Sequence, residues 1–346
     1  MPVWHPVATC GMKVGVPSWF RSNWFVLGVL AAVGIGLWQP TVAAVLTAHA
    51  GITRGITAVL FVIVGLTLPS ERIGEGLRQT KLHLLVQTTV FVISPLYFAV
   101  TAGLLAPVLG QGFTIGVYAL AVLPTTVSSC IVFTQATGGN TVGTIFNSVV
   151  ANVVGVFLAP LLLSLLLRTG GQALPRDEIT RIALSVALTM LLPVVLGQVV
   201  RRLIRPLVVR NTRRLGVVSN LLILYIVASS VAAGTSNPHF TIGGSATGLR
   251  FVYVAASHVL LVTLVYALAR AGGLDRENRI SAMFAAPQKT LVAGAPLLTT
   301  YFATTPELLG AALLPLLMYH VCQLIVASFI RATFLRFQPQ PGRPVQ

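Results

Sequence analysis

The side chains that could bind a solute or an ion lie mainly in one polar stretch of an otherwise apolar region. Residues 123–152 read LPTTVSSCIVFTQATGGNTVGTIFNSVVAN, which is rich in Thr, Ser, Asn and Gln. Pro124 interrupts what would otherwise be a membrane helix, because proline lacks a backbone donor and disturbs the preceding turn. Backbone groups freed at membrane depth must be satisfied by protein or by a water-lined cavity. The stretch therefore predicts a polar binding site inside the bilayer.

A second interrupted stretch lies late in the chain, at residues 284–296, with the sequence FAAPQKTLVAGAP. It contains Lys289, the only lysine in the second half of the chain. An ionisable side chain at membrane depth is a functional hypothesis by default. Two interpretations remain open: Lys289 binds an anionic substrate, or its ammonium bonds to carbonyl groups of the first interruption as part of the structure. A buried lysine would also allow proton coupling.

The composition places this chain in a membrane. Of its 346 residues, 55% are hydrophobic and only 9% are charged, and the mean hydropathy is +0.87. Those values exclude a soluble globular protein. The 23 basic residues exceed the seven acidic ones and give a net charge of +16. Because the basic residues lie between apolar spans, membrane topology explains them better than nucleic-acid binding does.

Hydropathy predicts ten spanning helices, each needing about 20 residues, with the fourth broken near Pro124 and the ninth near Pro287. Residues 138–140, Gly-Gly-Asn, are predicted to form a tight turn between spans four and five. Residues 201–214, which hold six arginines, are predicted to be a loop between spans six and seven. Seventeen basic residues then fall on one side and five on the other. This bias predicts a multi-pass protein of the cell (inner) membrane with both termini in the cytoplasm.

The two halves of the chain match in layout. Spans two to five recur as spans seven to ten at an offset of about 163 residues, and with five spans per half the second repeat must be inverted. The simpler alternative is that two prolines merely kink two helices. The predicted divisions are a cytoplasmic tail at 1–22, the first repeat at 23–167, a loop at 168–180, the inverted second repeat at 181–334 and a cytoplasmic tail at 335–346.

Five short motifs accompany the interruptions. They are LPTTVSS at 123–129, GGNxxxxIFNS at 138–148, KLHLLVQ at 81–87, PQKTL at 287–291 and PLLMYH at 315–320. Together they resemble the bile acid/sodium symporter family, solute carrier family 10, above all its atypical seventh-member branch and the bacterial relatives of that branch. The resemblance implies an all-α fold of ten helices in two inverted five-helix repeats. Helices 4 and 9 would cross at their breaks in a core domain, beside a panel domain of helices 1, 2, 6 and 7.

The resemblance also implies a set of oxygen ligands for sodium. Ser129 matches a serine that follows the break in span four, and Gln288 matches a glutamine in span nine. Thr144 and Ser148, one helical turn apart on span five, match two hydroxyl ligands. Oxygen donors of this kind suit a hard cation.

Three departures from the family pattern disfavour sodium. Cys130 stands where an asparagine is expected, Phe284 where a glutamate bridges the sodium sites, and Lys289 where an asparagine follows the glutamine. One carboxylate is therefore lost and one ammonium gained near the implied cation site. A third interpretation of Lys289 follows, in which it is a resident cation that fills the vacated sodium position.

These inferences predict a secondary-active transporter that moves a small organic anion by alternating access. Its partners would be membrane lipid and that anion, and sodium is the one candidate cofactor. The alternative is a non-transporting membrane regulator of ion homeostasis, calcium in particular, which the atypical branch suggests. An enzyme is disfavoured because the sequence places no acid and no His/Cys cluster at membrane depth. The candidate substrate- or ion-binding residues are Thr125, Thr126, Ser128, Ser129, Thr144, Asn147, Ser148, Gln288, Lys289 and Thr290.

Overall fold

The computed structural model describes residues 18–38, 50–67, 79–169, 176–235, 244–302 and 306–336. Within these ranges all regular structure is helical and no strand occurs, so the predicted all-α class is confirmed. Most of the two predicted tails, at 1–17 and 337–346, lies outside the described residues.

Seven α-helices are described in the first half of the chain and five in the second. The first seven are α1 (Ser18–Trp38), α2 (Ala50–Thr67), α3 (Thr80–Thr88), α4 (Ser94–Leu109), α5 (Gln111–Val122), α6 (Ser128–Ala136) and α7 (Thr141–Thr169). A π-helical segment, Thr89–Ile93, joins α3 to α4 without interruption and is called the π segment below. The other five are α8 (Arg176–Thr235), α9 (Gly244–Ala271), α10 (Arg276–Ala285), α11 (Leu291–Tyr301) and α12 (Pro306–Arg336).

Four helical segments among the described residues are long and apolar enough to cross a membrane. They are Thr80–Leu109, Thr141–Leu167, Ala246–Ala271 and Leu308–Phe334, with lengths of 26 to 30 residues. Shorter apolar helices accompany them, including Gln111–Val122 and Leu291–Tyr301. These two shorter helices each end or begin at a break, which explains why neither reaches the roughly 20 residues of a complete span.

Both predicted interruptions are confirmed. Helix α5 ends at Val122, and the chain is extended or bent until α6 begins at Ser128. Likewise α10 ends at Ala285, and α11 begins only at Leu291. The prolines in the two breaks remove donors that a continuous helix would use. The stretches 123–127 and 286–290 are called the first and second break below.

The basic segment at 201–214 differs from its prediction. It is not a loop: α8 consists of two helices that meet at a kink at Ile204, where φ is −118° and ψ is 28°. Pro206 supplies the physical reason for the kink, because its ring excludes a backbone donor and the preceding turn distorts. No glycine lies in the segment to end the helix, so the chain bends rather than loops.

Helix α7 packs against the first break through Gly155. A Cβ atom added at this glycine would lie 2.9 Å from both Cβ and Cγ of Pro124. Since Pro124 is a rigid ring fixed to the backbone, neither side can yield easily. Gly155 therefore sets how closely α7 approaches the break.

Gly155→Ala is expected to destabilise the protein by roughly 1–2 kcal/mol, because overpacking against Pro124 outweighs the better helix propensity of alanine. Gly216→Ala is the matched control, since Gly216 lies in α8 with no atom within 4 Å of an added Cβ. We expect the control to be neutral or stabilising by up to about 1 kcal/mol. Unfolding of the two purified variants in detergent measures both effects, and equal stabilisation by both would contradict the contact.

Candidate functional site

The two breaks contact each other directly. The backbone N–H of Thr290, the last residue of the second break, donates to the carbonyl oxygen of Pro124 at 3.0 Å. Each break leaves backbone groups without a helical partner, and this bond satisfies one group from each. The breaks therefore form one site, to which α6 and α11 turn their amino-terminal ends.

Three predicted residues form a compact polar cluster at this crossing. The Oε1 atom of Gln288 accepts from Thr126 Oγ1 at 2.6 Å and from Ser129 Oγ at 2.8 Å. The two hydroxyl oxygens lie 2.7 Å apart. The cluster joins the second break to the first break and the start of α6, so both halves of the chain contribute to it.

The other two predicted sodium ligands lie in a second cluster. Thr144 Oγ1 bonds to Ser281 Oγ at 2.7 Å and to Thr134 Oγ1 at 3.1 Å. Ser148 Oγ donates to the Thr144 carbonyl at 2.7 Å. The structure thus pairs Thr144 with Ser148, and pairs Ser129 with Gln288, without bonding one pair to the other.

Cys130 lies between the two clusters. Its Sγ atom is 2.6 Å from the Thr126 carbonyl oxygen and 3.1 Å from Ser148 Oγ. The side chain is fully buried. A thiol, which is a poor ligand for a hard cation, occupies the position at which the two oxygen clusters would have to join.

Lys289 is buried, with 2% of its surface exposed, and its ammonium is held by backbone oxygens. Nζ donates to the carbonyls of Ala121 and Leu123 at 3.0 Å each and of Val90 at 3.3 Å. An ammonium has three N–H donors, and these three carbonyls use all of them. Two of the carbonyls lie where α5 ends, which is the negative end of a helix and favours a cation.

The third carbonyl is made available by the π segment. The N–H of Ser94 bonds to the Thr89 carbonyl, which is the i→i+5 pattern of a π-helix. In the same register the Val90 carbonyl would accept from residue 95, but Pro95 has no N–H. The π segment therefore leaves the Val90 carbonyl free to accept from Lys289. In a regular α-helix, Pro95 would instead leave the Phe91 carbonyl without a donor.

Polar side chains on the long helices α7 and α12 bond to the backbone of the two breaks. In the first half, Asn152 Nδ2 donates to the Thr125 carbonyl at 2.9 Å. In the second half, Gln323 accepts from the Lys289 N–H at 2.8 Å and donates to the Lys289 carbonyl at 3.1 Å. The hydroxyl of Tyr319 donates to the Pro287 carbonyl at 2.6 Å. Backbone groups released by the breaks are thus satisfied by side chains on α7 and α12.

Gln323 and Tyr319 were not among the predicted site residues. The signal for Gln323 was a lone amide within the last apolar span, four residues after Tyr319. Val90 could not have been predicted, because its contribution is a backbone carbonyl that only the π register presents.

The remaining predicted residues have separate surroundings. Asn147 is buried and bonds to Gln87 and to the Gly143 carbonyl, so it connects α7 to α3. The hydroxyl of Thr125 is buried and has no hydrogen-bond partner in the described part of the chain. Ser128 begins α6, but its side chain lies outside the described residues. The predicted turn before α7 is confirmed, with Asn140 accepting from the Gly143 N–H at 2.9 Å.

A narrow cleft lies beside the first break, against α2. Its lining is almost entirely apolar, and Asn152 is the one amide in it; the lining residues are Phe61, Val64, Leu123, Pro124, Asn152, Gly155, Val156, Ala159 and Ala293. Both Asn152 N–H bonds are committed to carbonyls at Thr125 and Ser148. The cleft has room for about one water molecule, so a solute can enter only if α2 and α7 separate.

Two broken apolar helices whose breaks bond to each other define a class, the secondary transporters with discontinuous helices. The chain belongs to the SBF-like CPA transporter family, which matches residues 23–336. The resemblance to bile acid/sodium symporters is thereby confirmed.

Curated relatives agree with this assignment over nearly the full chain. Sodium/bile acid cotransporter 7 of Danio rerio is 29% identical over 324 residues, covering 92% of this chain and 95% of that protein. The protein of the same name from Rattus norvegicus is 28% identical, with coverage of 90% and 92%. Uncharacterized protein PA2026 of Pseudomonas aeruginosa is 31% identical, with coverage of 92% and 95%. This chain is an integral membrane transporter of the bile acid/sodium symporter type, in a family of transporters rather than enzymes.

Proposed function

We propose that this protein is a secondary-active transporter of a small organic anion in which the ammonium of Lys289 replaces a sodium ion at the crossing of the breaks. The observation that carries this proposal is the set of three backbone carbonyls around Nζ of Lys289. Carbonyl oxygens at this spacing are the ligands that a bound cation would take. Here the cation is covalently attached, so the site is filled in every step of the cycle.

The surroundings of Phe284 support the loss of sodium coupling. Phe284 is buried and stacks on Phe133, with ring centroids 5.8 Å apart at 22°. Both rings belong to an apolar cluster that also contains Cys130 and Ile280. A desolvated cation needs oxygen ligands rather than aromatic carbon, and the carboxylate that the family pattern would place at residue 284 is absent.

An anionic substrate follows from the charge at the crossing. All three contacts of the Lys289 ammonium are neutral carbonyls, so its positive charge is not cancelled within its own hydrogen-bonded shell. The amino-terminal ends of α6 and α11 add positive partial charges on the same site. The negative end of α5 offsets only part of this positive charge, so the field at the crossing favours anions over cations.

The proposed architecture has ten spans in two inverted repeats, at 23–167 and 181–334. The spans cross the cell (inner) membrane, and both tails lie in the cytoplasm. The core, with the crossing, moves against a panel that includes α1, α2 and α8. In that movement the narrow cleft at Phe61, Pro124 and Asn152 opens to one side at a time. Thr125, Thr126, Ser129 and Thr290 line the substrate side of the crossing in this proposal, and Thr144, Asn147 and Ser148 lie behind or beside it.

The experiment is a melting screen followed by uptake. Purified protein is heated with a panel of organic carboxylates, sulfates and phosphates, and with matched neutral and cationic analogues. A ligand that binds only the folded state raises the melting temperature, and we expect only anions to do so. Uptake of a stabilising anion into proteoliposomes should be the same in sodium and in potassium. Stabilisation by no anion, or binding without uptake, would favour the alternative of a non-transporting regulator of calcium or other ions.

A further inference from the structure

The kinked part of α8 carries an unusual density of exposed arginine and exposed apolar side chains. Residues 201–214 read RRLIRPLVVRNTRR, with six arginines and no acidic residue. Arg202, Arg210, Arg213 and Arg214 are exposed. Between them, Leu203 is 79% exposed, Leu207 58% and Val209 57%. This surface therefore combines guanidinium groups with exposed aliphatic side chains.

The spacing groups these residues on the helix beyond the kink. Leu207, Arg210 and Arg214 are separated by three and four residues, which places them on one face. Val209 and Arg213 are four residues apart on a neighbouring face. Leu207 and Val209 are thus each followed, about one turn later, by a guanidinium, whereas Leu203 lies just before the kink. In a membrane, the apolar side chains can contact lipid acyl chains while the neighbouring arginines contact lipid headgroups.

The residues just before the kink are bonded to α2. Arg201 is only 5% exposed, and its Nη1 donates to the Leu66 carbonyl at 2.6 Å. Gln198 Nε2 donates to the Gly65 carbonyl, also at 2.6 Å. The two helix backbones approach so closely that a Cβ on Gly197 would lie 2.4 Å from the Val62 carbonyl oxygen. Because these contacts lie at residues 197–201, a lipid held just beyond the kink would lie close to the attachment of α2, which borders the cleft.

We propose that residues 202–214 bind the phosphate headgroup of an anionic phospholipid, such as phosphatidylglycerol, and so anchor the α2–α8 unit while the crossing moves. Guanidinium groups pair with phosphate through two parallel hydrogen bonds. Leu203, Leu207 and Val209 contact the acyl chains of the same lipid. The binding requires neither a substrate nor a coupling ion, so it stands or falls independently of the proposed transport.

The test uses the full chain purified in neutral detergent and titrated with dioleoylphosphatidylglycerol or dioleoylphosphatidylcholine. We expect phosphatidylglycerol to raise the melting temperature and phosphatidylcholine to leave it nearly unchanged. The double variant Arg210→Gln/Arg213→Gln should weaken the apparent affinity for phosphatidylglycerol by roughly tenfold or more. Arg210→Lys/Arg213→Lys keeps the charge but not the paired guanidinium bonds, so its affinity should fall between those of the wild type and the glutamine variant, which separates lipid binding from misfolding.

The matched control is Arg270→Gln/Arg331→Gln, which removes two exposed arginines from the same predicted side of the membrane. The control should respond to phosphatidylglycerol as the wild type does. Equal responses of the wild type to both lipids would overturn the proposal. So would an equal loss in the control, or stabilisation by inorganic phosphate alone, which would indicate a soluble anion site instead of a lipid site.

Discussion

Lys289→Met is expected to lower the free energy of unfolding by about 3 kcal/mol and to abolish transport. Methionine is nearly as long as lysine, so the packing is kept while the donors to Val90, Ala121 and Leu123 are removed. Each buried carbonyl left without a donor costs about 1–3 kcal/mol, and relief of the buried ammonium's desolvation offsets only part of that sum. The end of α5 also loses the cation at its negative pole.

Lys81→Met is the control for Lys289→Met. Lys81 is exposed, and its ammonium lies 3.4 Å from a single carbonyl, that of Gly272. Its replacement should change stability by less than about 0.5 kcal/mol. Unfolding in detergent micelles, followed by intrinsic fluorescence, measures both variants. If Lys289→Met proved as stable and as active as the wild type, the ammonium would not hold the crossing.

Gln323→Leu is expected to cost about 2–3 kcal/mol of stability and most of the transport activity. Leucine fills a similar volume, but the Lys289 N–H and carbonyl both lose their partner in the second break. Buried backbone groups without partners carry the full desolvation penalty. The second break then has no fixed geometry, so Gln288 and Lys289 lose their alignment with the first break.

Two further variants serve as a comparison and a control for Gln323→Leu. Asn152→Leu removes the corresponding support of the first break at Thr125 and should cost about 1–2 kcal/mol, since only one break carbonyl is orphaned. Gln135→Leu replaces an exposed amide on α6 and should be nearly neutral. A Gln323→Leu protein that matched the Gln135 control in melting and uptake would contradict this role.

Local sequence rules predicted the features that depend on nearby residues. Pro124 and Pro287 marked the two breaks because a proline removes a helical donor wherever it occurs. Gly138, with φ at +72°, marked the turn before α7, since glycine adopts that conformation without strain.

Features that depend on distant contacts were not predictable in the same way. The π segment presents the Val90 carbonyl to a lysine about 200 residues away in the chain, so no local sequence pattern predicts this hydrogen bond. The four residues predicted as sodium ligands lie on the broken helices or on the adjacent α7, and their division into two clusters follows from three-dimensional packing around Cys130. The segment at 201–214 is helical on both sides of the kink at Ile204 rather than a loop, because arginine and leucine have high helix propensity and a cluster of charges does not by itself end a helix.

The replacement of sodium by Lys289 is tested by the melting temperatures of the wild type and Lys289→Asn, measured in sodium and in potassium at equal ionic strength. Asparagine leaves space beside the three carbonyls and adds an oxygen donor, so a sodium ion can take the place of the ammonium. We expect no sodium-specific stabilisation of the wild type and a clear sodium-specific rise in the melting temperature of the variant. Sodium-specific stabilisation of the wild type, or its absence in the variant, would contradict the replacement of sodium by Lys289.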